Sequence, residues 1–455
     1  MSKPSIPQGT RDFSAETVRK RNFILSTLRN VFELYGFEPL ETPAMEKLDT
    51  LMGKYGEEGD KLIFKILNNG LNEPSNIEKA KSGFAKLMEG KNSSDLTERA
   101  LKYDLTIPFA RYVAMNHGKL SFPYKRYQVQ PVWRADKPQK SRYREFTQCD
   151  ADVVGSVSLL NEVELANIYH TALTRLGLAD YELKVNSRKI LAALAELCGG
   201  ENFLTDITVA IDKLDKIGLE KVKEELAARG LSITQIDTIE KYLLIDGSNE
   251  ERIAAAKNIF GENETAAKGI EELTYLLGKT KNTNLRIDFT LARGLNYYTG
   301  IIFEVKAPEE VKMGSIGGGG RYDNLTGLFG VPGIPGVGIS FGVDRIYDAL
   351  EELNLFPADL QVSTKALFFN LGETEGAFAF ERMQELRSNN VSCELYHEPA
   401  KMDKQFKYAD RKNIPFAVII GSKEMESEEC VVKNLKTGQQ QNVQFDEIAA
   451  FLMNN

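Results

Sequence analysis

Two extended runs face each other across a polar loop near the middle of this chain, and that pairing restricts the fold more than any other feature. Residues Tyr124 to Val132 have the composition of a strand. The segment SRYREFTQCDADVVG reads as its hairpin partner, and ADKPQKS between them is a loop. A hairpin of this kind calls for an antiparallel sheet. Residues 121–145 hold seven basic and two acidic residues, interleaved with aromatic side chains. Arg134 follows the apolar PVW, and Arg142 and Arg144 are expected on one face of the second strand. Arginines projecting beside aromatic rings suit phosphates and bases. A solvated basic hairpin is the competing reading, and the residues alone leave both open.

The rest of the chain divides around this hairpin. Ser14 is placed to cap an opening helix, Ile24, Leu28, Val31, Phe32 and Tyr35 follow helical spacing, and Gly36 ends it. FEPLETPAM is extended, and its two prolines, Pro39 and Pro43, assign it to a sheet edge or an interface. Residues 57–100 read as loops and short helices. A helix is expected near 158–177, with Leu165, Ile168, Tyr169, Ala172 and Leu176 on its inner face. From 187 to 282 the chain is charged, helix-forming and punctuated by glycine, as an inserted helical module would be. LRIDFT and GIIFEV resume the strand pattern. The GGGG at 317–320 reads as a tight bend with close backbone approach.

Near Val362 the pattern changes again. ALFFNL, VSCELYHE and PFAVIIG alternate with helical stretches near 373–388 and 402–413, the arrangement of a βαβ-type sheet domain. A chain of 455 residues has room for two or three domains. The boundaries expected are 1–186 with 283–355, then 187–282, then 362–455.

Several chemistries are absent from the sequence. There is no GxxxxGK[ST], and no GxGxxG opens a helix after a strand, so a bound nucleotide needs another platform, such as a sheet carrying arginines. Cys149, Cys198, Cys393 and Cys430 are scattered, as are His117, His170 and His397, and no metal cluster is expected from protein side chains. No run approaches the ~20 apolar residues of a membrane span, and MSKPSIPQGTRDF lacks an apolar signal core, so the cytoplasm is the expected location. The net charge of −8 leaves room for local basic patches that bind nucleic acid.

Longer motifs carry a resemblance. VWRADKPQKSRYREFTQCDAD resembles motif 2 of the class II aminoacyl-tRNA synthetases in its histidyl form, and GVGISFGVDRIYDAL resembles motif 3. YGFEPLETPAM is similar to motif 1, with Pro43 as its proline, and IPQGTRDF to the N-terminal stretch of the same proteins. LARGLNYYTGIIFEV resembles a signature peculiar to the histidyl-tRNA synthetase family, and NSRKILAALAELCGG with VAIDKLDKIG resembles its eukaryote-like branch. The match runs from near residue 6 to the end of the chain.

The resemblance implies an α+β catalytic domain on an antiparallel sheet with helices, the class II synthetase fold. It also implies a helical insertion and a C-terminal α/β anticodon-binding domain. It implies ATP-dependent activation of L-histidine to histidyl-adenylate and pyrophosphate, then transfer to the 3′ end of tRNA(His). Magnesium would be bound mainly through the ATP phosphates. By resemblance, Arg134 and Arg293 are the catalytic arginines at the α-phosphate, and Arg142 and Arg345 meet the γ-phosphate end. Phe146 stacks adenine, and Asp136 orients the nucleotide. Asp104, Thr106 and Gln148 lie at the α-amino end of histidine, Asp152 and Tyr298 answer the imidazole, Tyr297 shapes the wall, and Arg293 also grips the carboxylate. Lys137, Gln139, Lys140 and Arg144 in the motif 2 loop are candidate tRNA contacts. Lys404, Lys407 and Arg411, at i, i+3 and i+7 of a helix, are others. Motif 1 implies a homodimer.

The sequence departs from the family twice. The usual RGLDYY is RGLNYY, with Asn296 in place of the carboxylate, and LRPEGT is replaced by LKYDLT, which carries Asp104 and Thr106. Three rival readings remain: a non-catalytic regulatory paralogue in histidine biosynthesis, a class II synthetase for another amino acid, and an RNA-binding module without catalysis. Retention of Arg134, Arg293 and Arg345 and of the last domain weighs against the first. The RGLNYY signature weighs against the second.

Overall fold

The computed structural model describes residues 3–138, 142–292, 297–361 and 364–454. The chain forms two compact units, Met1–Phe13 with Arg21–Leu355, and Ser14–Lys20 with Phe356–Asn455.

In the first unit the strands are β1 (Glu38–Pro39), β2 (Met45–Lys47), β3 (Lys65–Ile66), β4 (Arg99–Leu101), β5 (Tyr124–Trp133), β6 (Glu145–Val154), β7 (Glu182–Ser187), β8 (Leu285–Ile287), β9 (Ile301–Lys306), β10 (Gly317–Tyr322) and β11 (Gly336–Gly342). Eight of them make one sheet in the order β1-β5-β6-β11-β10-β9-β7-β8, and β2-β4-β3 make a small second sheet. The large sheet is antiparallel through its centre and parallel only at its two ends, β1 with β5 and β7 with β8. The proline-bearing β1 lies at the edge, where a missing N–H breaks no ladder.

Strand alternation gives this sheet two unlike faces. Tyr127, Cys149, Ala151, Val153, Val337, Ile339 and Phe341 are buried on one of them. Against it pack the helices Ala15–Leu34 and Leu160–Arg175. Phe32 stacks on Tyr127 at 5.4 Å, and the Tyr169 ring lies 4.8 Å from Phe341. The Tyr169 hydroxyl donates to the carbonyls of Gly318 and Ser340. Ser14 caps the first helix through Oγ, which accepts from the Thr17 N–H at 3.3 Å, and Gly36 takes the positive φ of 76° that follows the helix. The other face carries Arg126, Gln128, Asp150, Asp152 and Ser340, and it is the polar one.

Three local expectations are corrected. Arg142 and Arg144 are not on the second hairpin strand, which begins at Glu145. The Arg144 N–H donates to Gly9 O at 2.8 Å, so the chain there is held by the N-terminal segment as well as by the carbonyl of Arg144, which accepts from the Arg134 N–H. The GGGG run is not a bend. It is part of β10, paired on both sides, with Gly319 opposite Ile339 and Phe303. Close approach does explain the glycines, because a Cβ on Gly319 would overlap the backbone of Gly338. Residues 57–100 contain a twelve-residue helix, Ile77–Met88, and also the two strands β3 and β4, which were not expected.

Between β7 and β8 the chain makes the helices Arg188–Leu197, Leu204–Ile211, Leu214–Ile217, Leu219–Ala228, Ile233–Leu243, Asn249–Phe260 and Glu264–Lys279. Capping boxes at Ser232 and Ser248 start two of them. The excursion begins and ends on neighbouring parallel strands at the sheet edge.

The second unit holds β12 (Ala366–Phe368), β13 (Cys393–Leu395), β14 (Phe416–Ile419), β15 (Glu429–Asn434) and β16 (Gln440–Gln444), in the order β13-β12-β14-β15-β16. The helices Glu373–Ser388 and Met402–Arg411 connect its parallel strands. Phe368, Met383, Phe416 and Val418 are in its core. The antiparallel pair β15 and β16 was not expected from the sequence.

Candidate active site

The polar sheet face opens into a cavity of about 470 Å³. Arg134, Asp136, Arg142, Phe146, Gln148, Tyr298 and Arg345 line it, together with Tyr143, Glu304, Ser315, Gly317, Gly318, Gly319, Ser340 and Asp344. Seven of the residues expected from the sequence therefore converge. Arg134 is held by a hydrogen bond from Nε to the carbonyl of Tyr103 at 3.1 Å, and its guanidinium lies 4.3 Å from the Tyr103 ring and 5.1 Å from that of Phe146. Arg142 stands 3.9 Å from the Asp136 carboxylate, and Arg345 Nη1 donates to Ser315 O at 2.6 Å. Three arginines thus border one cavity. Gly317, Gly318 and Gly319 contribute no side chains to fill it, so an anion can approach the backbone.

Asp104, Thr106, Asp152 and Tyr297 do not line this cavity. Asp104 is buried, with Oδ1 accepting from the Tyr55 hydroxyl at 2.9 Å and from the Ile107 N–H at 3.2 Å. Its Oδ2 has no hydrogen-bond partner. Burial raises its carboxyl above the ordinary range against the pull of the Ile107 N–H, the Tyr55 hydroxyl and Arg134. Thr106 begins the helix Thr106–Asn116. Asp152 is buried beside Arg126 and accepts from the Tyr322 hydroxyl at 2.5 Å. Tyr297 and Tyr298 meet edge to face at 5.0 Å. The charges of Asp152, Asp150 and Asp104 all act on the Tyr298 phenol, so these groups belong to one electrostatic neighbourhood.

Arg293, Asn296, Gln139 and Lys140 lie outside the described residues. Lys137 is exposed, whereas Arg144 is half-buried and donates from Nε to Asp136 O. Pro43 is exposed beside β1. In the second unit Lys404, Lys407 and Arg411 are all exposed on one helix.

Sequence reasoning missed several members of the site. Asp344 is gripped by Arg11 at 2.8 Å and by Arg21, and the Arg11 guanidinium carbon lies over Tyr143, 3.2 Å from the ring centre. Arg11 belongs to the IPQGTRDF stretch, so a signal was there, without a role attached. Arg126, Asp150 and Tyr322 had no signal beyond strand alternation, because their partners are remote in sequence.

The histidyl-tRNA synthetase family model matches residues 78–346. The chain belongs to the histidyl-tRNA synthetase family. An anticodon binding domain model matches residues 365–455, which make up most of the second unit. The histidine-tRNA ligase of Christiangramia forsetii is 51% identical, with 99% of each chain covered. That of Flavobacterium johnsoniae is 49% identical, again over 99% of each. The crystal structure of histidyl-tRNA synthetase from Nostoc sp. PCC 7120 superposes with a TM-score of 0.83 at 30% identity, covering 100% of both chains. A Bacillus halodurans C structure described as an ATP phosphoribosyltransferase regulatory subunit/histidyl-tRNA synthetase has a TM-score of 0.71 at 19% identity, covering 92% of this chain and 100% of that one. That similarity concerns the fold alone. The eight-stranded sheet with its helices is thus the catalytic fold of a histidyl-tRNA synthetase, followed by an anticodon-binding domain with its own sheet. No helix among the described residues is long and apolar enough to cross a membrane.

Proposed function

We propose a residue-level division of labour for this chain, whose activity is that of a histidine-tRNA ligase, an ATP-dependent aminoacyl-tRNA synthetase. A histidine carboxylate oxygen attacks the α-phosphorus of ATP, the bond to the bridging oxygen breaks, and pyrophosphate leaves. The terminal ribose hydroxyl of tRNA(His) then attacks the adenylate carbonyl and releases AMP. Negative charge builds on non-bridging oxygens in the first step, and fixed guanidinium groups offset it. The observation that carries this reading is the convergence of Arg134, Arg142 and Arg345 on one cavity, with Phe146 and Gln148 in its wall.

Arg134 serves the α-phosphate with Arg293. Arg142 and Arg345 meet the γ-phosphate end, Phe146 stacks on adenine, and Asp136 orients the nucleotide. Gln148 and Asp104 hold the α-amino group, with Thr106 beside them, and Arg293 also takes the carboxylate. Asp152 and Tyr298 answer the imidazole, and Tyr297 shapes the wall. A neutral imidazole has one N–H and one acceptor nitrogen, so a pocket offering an acceptor and a donor rejects side chains that would strand either. Magnesium takes oxygen ligands and neutralises phosphate charge. It would be carried mainly by the ATP phosphates, and the carboxylates of Asp136 and Glu304 on the cavity wall would supply oxygen donors.

Residues 1–186 and 283–355 are the catalytic domain in this proposal, 187–282 the helical insertion, and 362–455 the anticodon-binding domain. Lys137, Gln139, Lys140 and Arg144 approach the RNA near the active site. Lys404, Lys407 and Arg411 approach it from the last domain. The edge position of β1, next to Pro43, supports a two-fold contact through motif 1 and hence a homodimer. The cytoplasm is the compartment where these substrates meet. Amino-acid-dependent exchange of pyrophosphate into ATP, run across the amino acids, tests the whole reading. Exchange with histidine alone is expected, and exchange driven equally by another amino acid would overturn the pocket assignment.

A further inference from the structure

Arg126 and Asp152 are register partners on β5 and β6, and their side chains meet beneath the sheet's polar face. Arg126 Nη2 lies 2.8 Å from Asp152 Oδ2, with the side chains 0% and 4% exposed. The second oxygen, Oδ1, accepts from the Tyr322 hydroxyl of β10 at 2.5 Å. The guanidinium also lies 4.2 Å from the Phe109 ring. None of its three guanidinium nitrogens makes a hydrogen bond, so the contact with Asp152 is an ion pair.

This is an expensive arrangement by the rules of folding. A buried arginine with unpaired nitrogens gives up hydration for a single ion pair, and such pairs add little to stability compared with apolar side chains of similar volume. The neighbouring strand positions are built around it. Gly338, opposite Asp152 on β11, has no Cβ to obstruct the carboxylate. Three elements therefore act on one carboxylate: β5 supplies its counter-charge, β10 its hydrogen bond, and β11 its space.

We propose that Arg126 is a positioning residue for histidine recognition, which, with Tyr322, keeps Asp152 ionised and fixed in one orientation. The inference rests on the reading that Asp152 accepts from the imidazole. One oxygen of Asp152 accepts a hydrogen bond and the other lies in an ion pair, so the carboxylate is held from two sides. An ionised carboxylate offers only acceptors, whereas a protonated one presents a donor as well. Burial raises the Asp152 carboxyl above the ordinary range, and Arg126 and the Tyr322 hydroxyl hold back that rise. The other titratable groups around Asp152 are Asp150, two residues along β6, and Tyr298, whose phenol feels both carboxylates. Arg126 is the cation that acts on Asp152 among the described residues, and without it Asp152 takes up a proton.

The test is Arg126→Met, Arg126→Lys and Tyr322→Phe, each measured by pyrophosphate exchange with histidine and ATP varied separately across pH. Arg126→Met should raise KM for histidine by at least about tenfold and leave KM for ATP within about twofold, because the lost interaction concerns only one substrate. Alkaline pH should recover part of the histidine affinity as Asp152 ionises again, and Arg126→Lys should retain most of it. Asp152→Asn should lose histidine affinity without any alkaline recovery. Tyr322→Phe removes one hydroxyl and keeps the ring, so it decides the matter if Arg126→Met does not fold; a smaller rise in KM confined to histidine is expected. Equal loss toward both substrates, or no pH-dependent recovery, would make Arg126 a structural residue and overturn the proposal. An unchanged histidine KM in Asp152→Asn would instead remove the underlying reading of Asp152.

Discussion

Gly338 lies against Asp152, its register partner on β6, so closely that a methyl group on its Cα would overlap the carboxylate. Glycine at this position is required by its neighbour and not by backbone angles. Gly338→Ala should push Asp152 away from Arg126 and Tyr322. The expected cost in stability is about 1–3 kcal/mol, the usual penalty for overfilling a packed interior. Denaturant titration with pyrophosphate exchange on the same preparation checks it. A folded variant with the parental KM for histidine would show that the strand relaxes without moving Asp152.

A second prediction concerns the helix-covered face. Arg321 reaches Glu162 through Nε at 2.5 Å and Nη2 at 2.8 Å, both side chains being almost fully buried. Glu162→Ala leaves the guanidinium without its main counter-charge. Breaking such a pair costs about 3–5 kcal/mol. Urea unfolding should show the loss, whereas a difference below about 1 kcal/mol would mean that Asp323, 3.4 Å from Nη1, takes over.

Asp150 predicts a pH dependence. Burial pushes its carboxyl up to about 7, with Arg126 and the Ser340 hydroxyl pulling the other way. In the unfolded chain an aspartate ionises near 3.9. Between about pH 4 and 7 the folded protein keeps a proton that the unfolded chain has released, so this residue's contribution to stability falls as pH rises through that window. Asp150→Asn removes the dependence. Its stability relative to the parent should increase from pH 4 to 7 and stay level above, and thermal unfolding across that range measures it. A constant difference at every pH would contradict the assignment.

The last prediction separates the two chemical steps. A chain ending at Leu355 keeps Arg134, Arg142, Gln148, Tyr298 and Arg345 and lacks the region matched by the anticodon-binding model. Histidine-dependent pyrophosphate exchange should persist, while charging of tRNA falls by at least about tenfold, since remote phosphate contacts supply much of the RNA affinity. Both assays belong on one folded preparation. Equal loss in the two would show that the final unit also supports activation.

Local pattern carried much of this protein. Strand alternation in Tyr124–Val132 and CDADVV predicted the central hairpin, because period-two side chains must be sorted between two faces. Helical spacing from Ile24 to Phe32 predicted a buried helix face for the same reason, at a period of 3.6. The order of RGLNYY, motif 2 and motif 3 led to the family, and Arg134, Arg142, Phe146 and Arg345 do meet in one cavity. Glycine runs were less legible. A run such as GGGG has no side-chain period, so only its two paired neighbours make it a strand. The same limit applies to Arg144, whose backbone N–H finds its partner at Gly9, more than 130 residues away. Asp152 and Tyr322 are separated by 170 positions. By itself the sequence determined the central hairpin, the first helix and the family, since these follow from local period and motif. The tertiary structure alone decided which carboxylate meets which cation, because ion pairing and burial depend on distances set by sheet register.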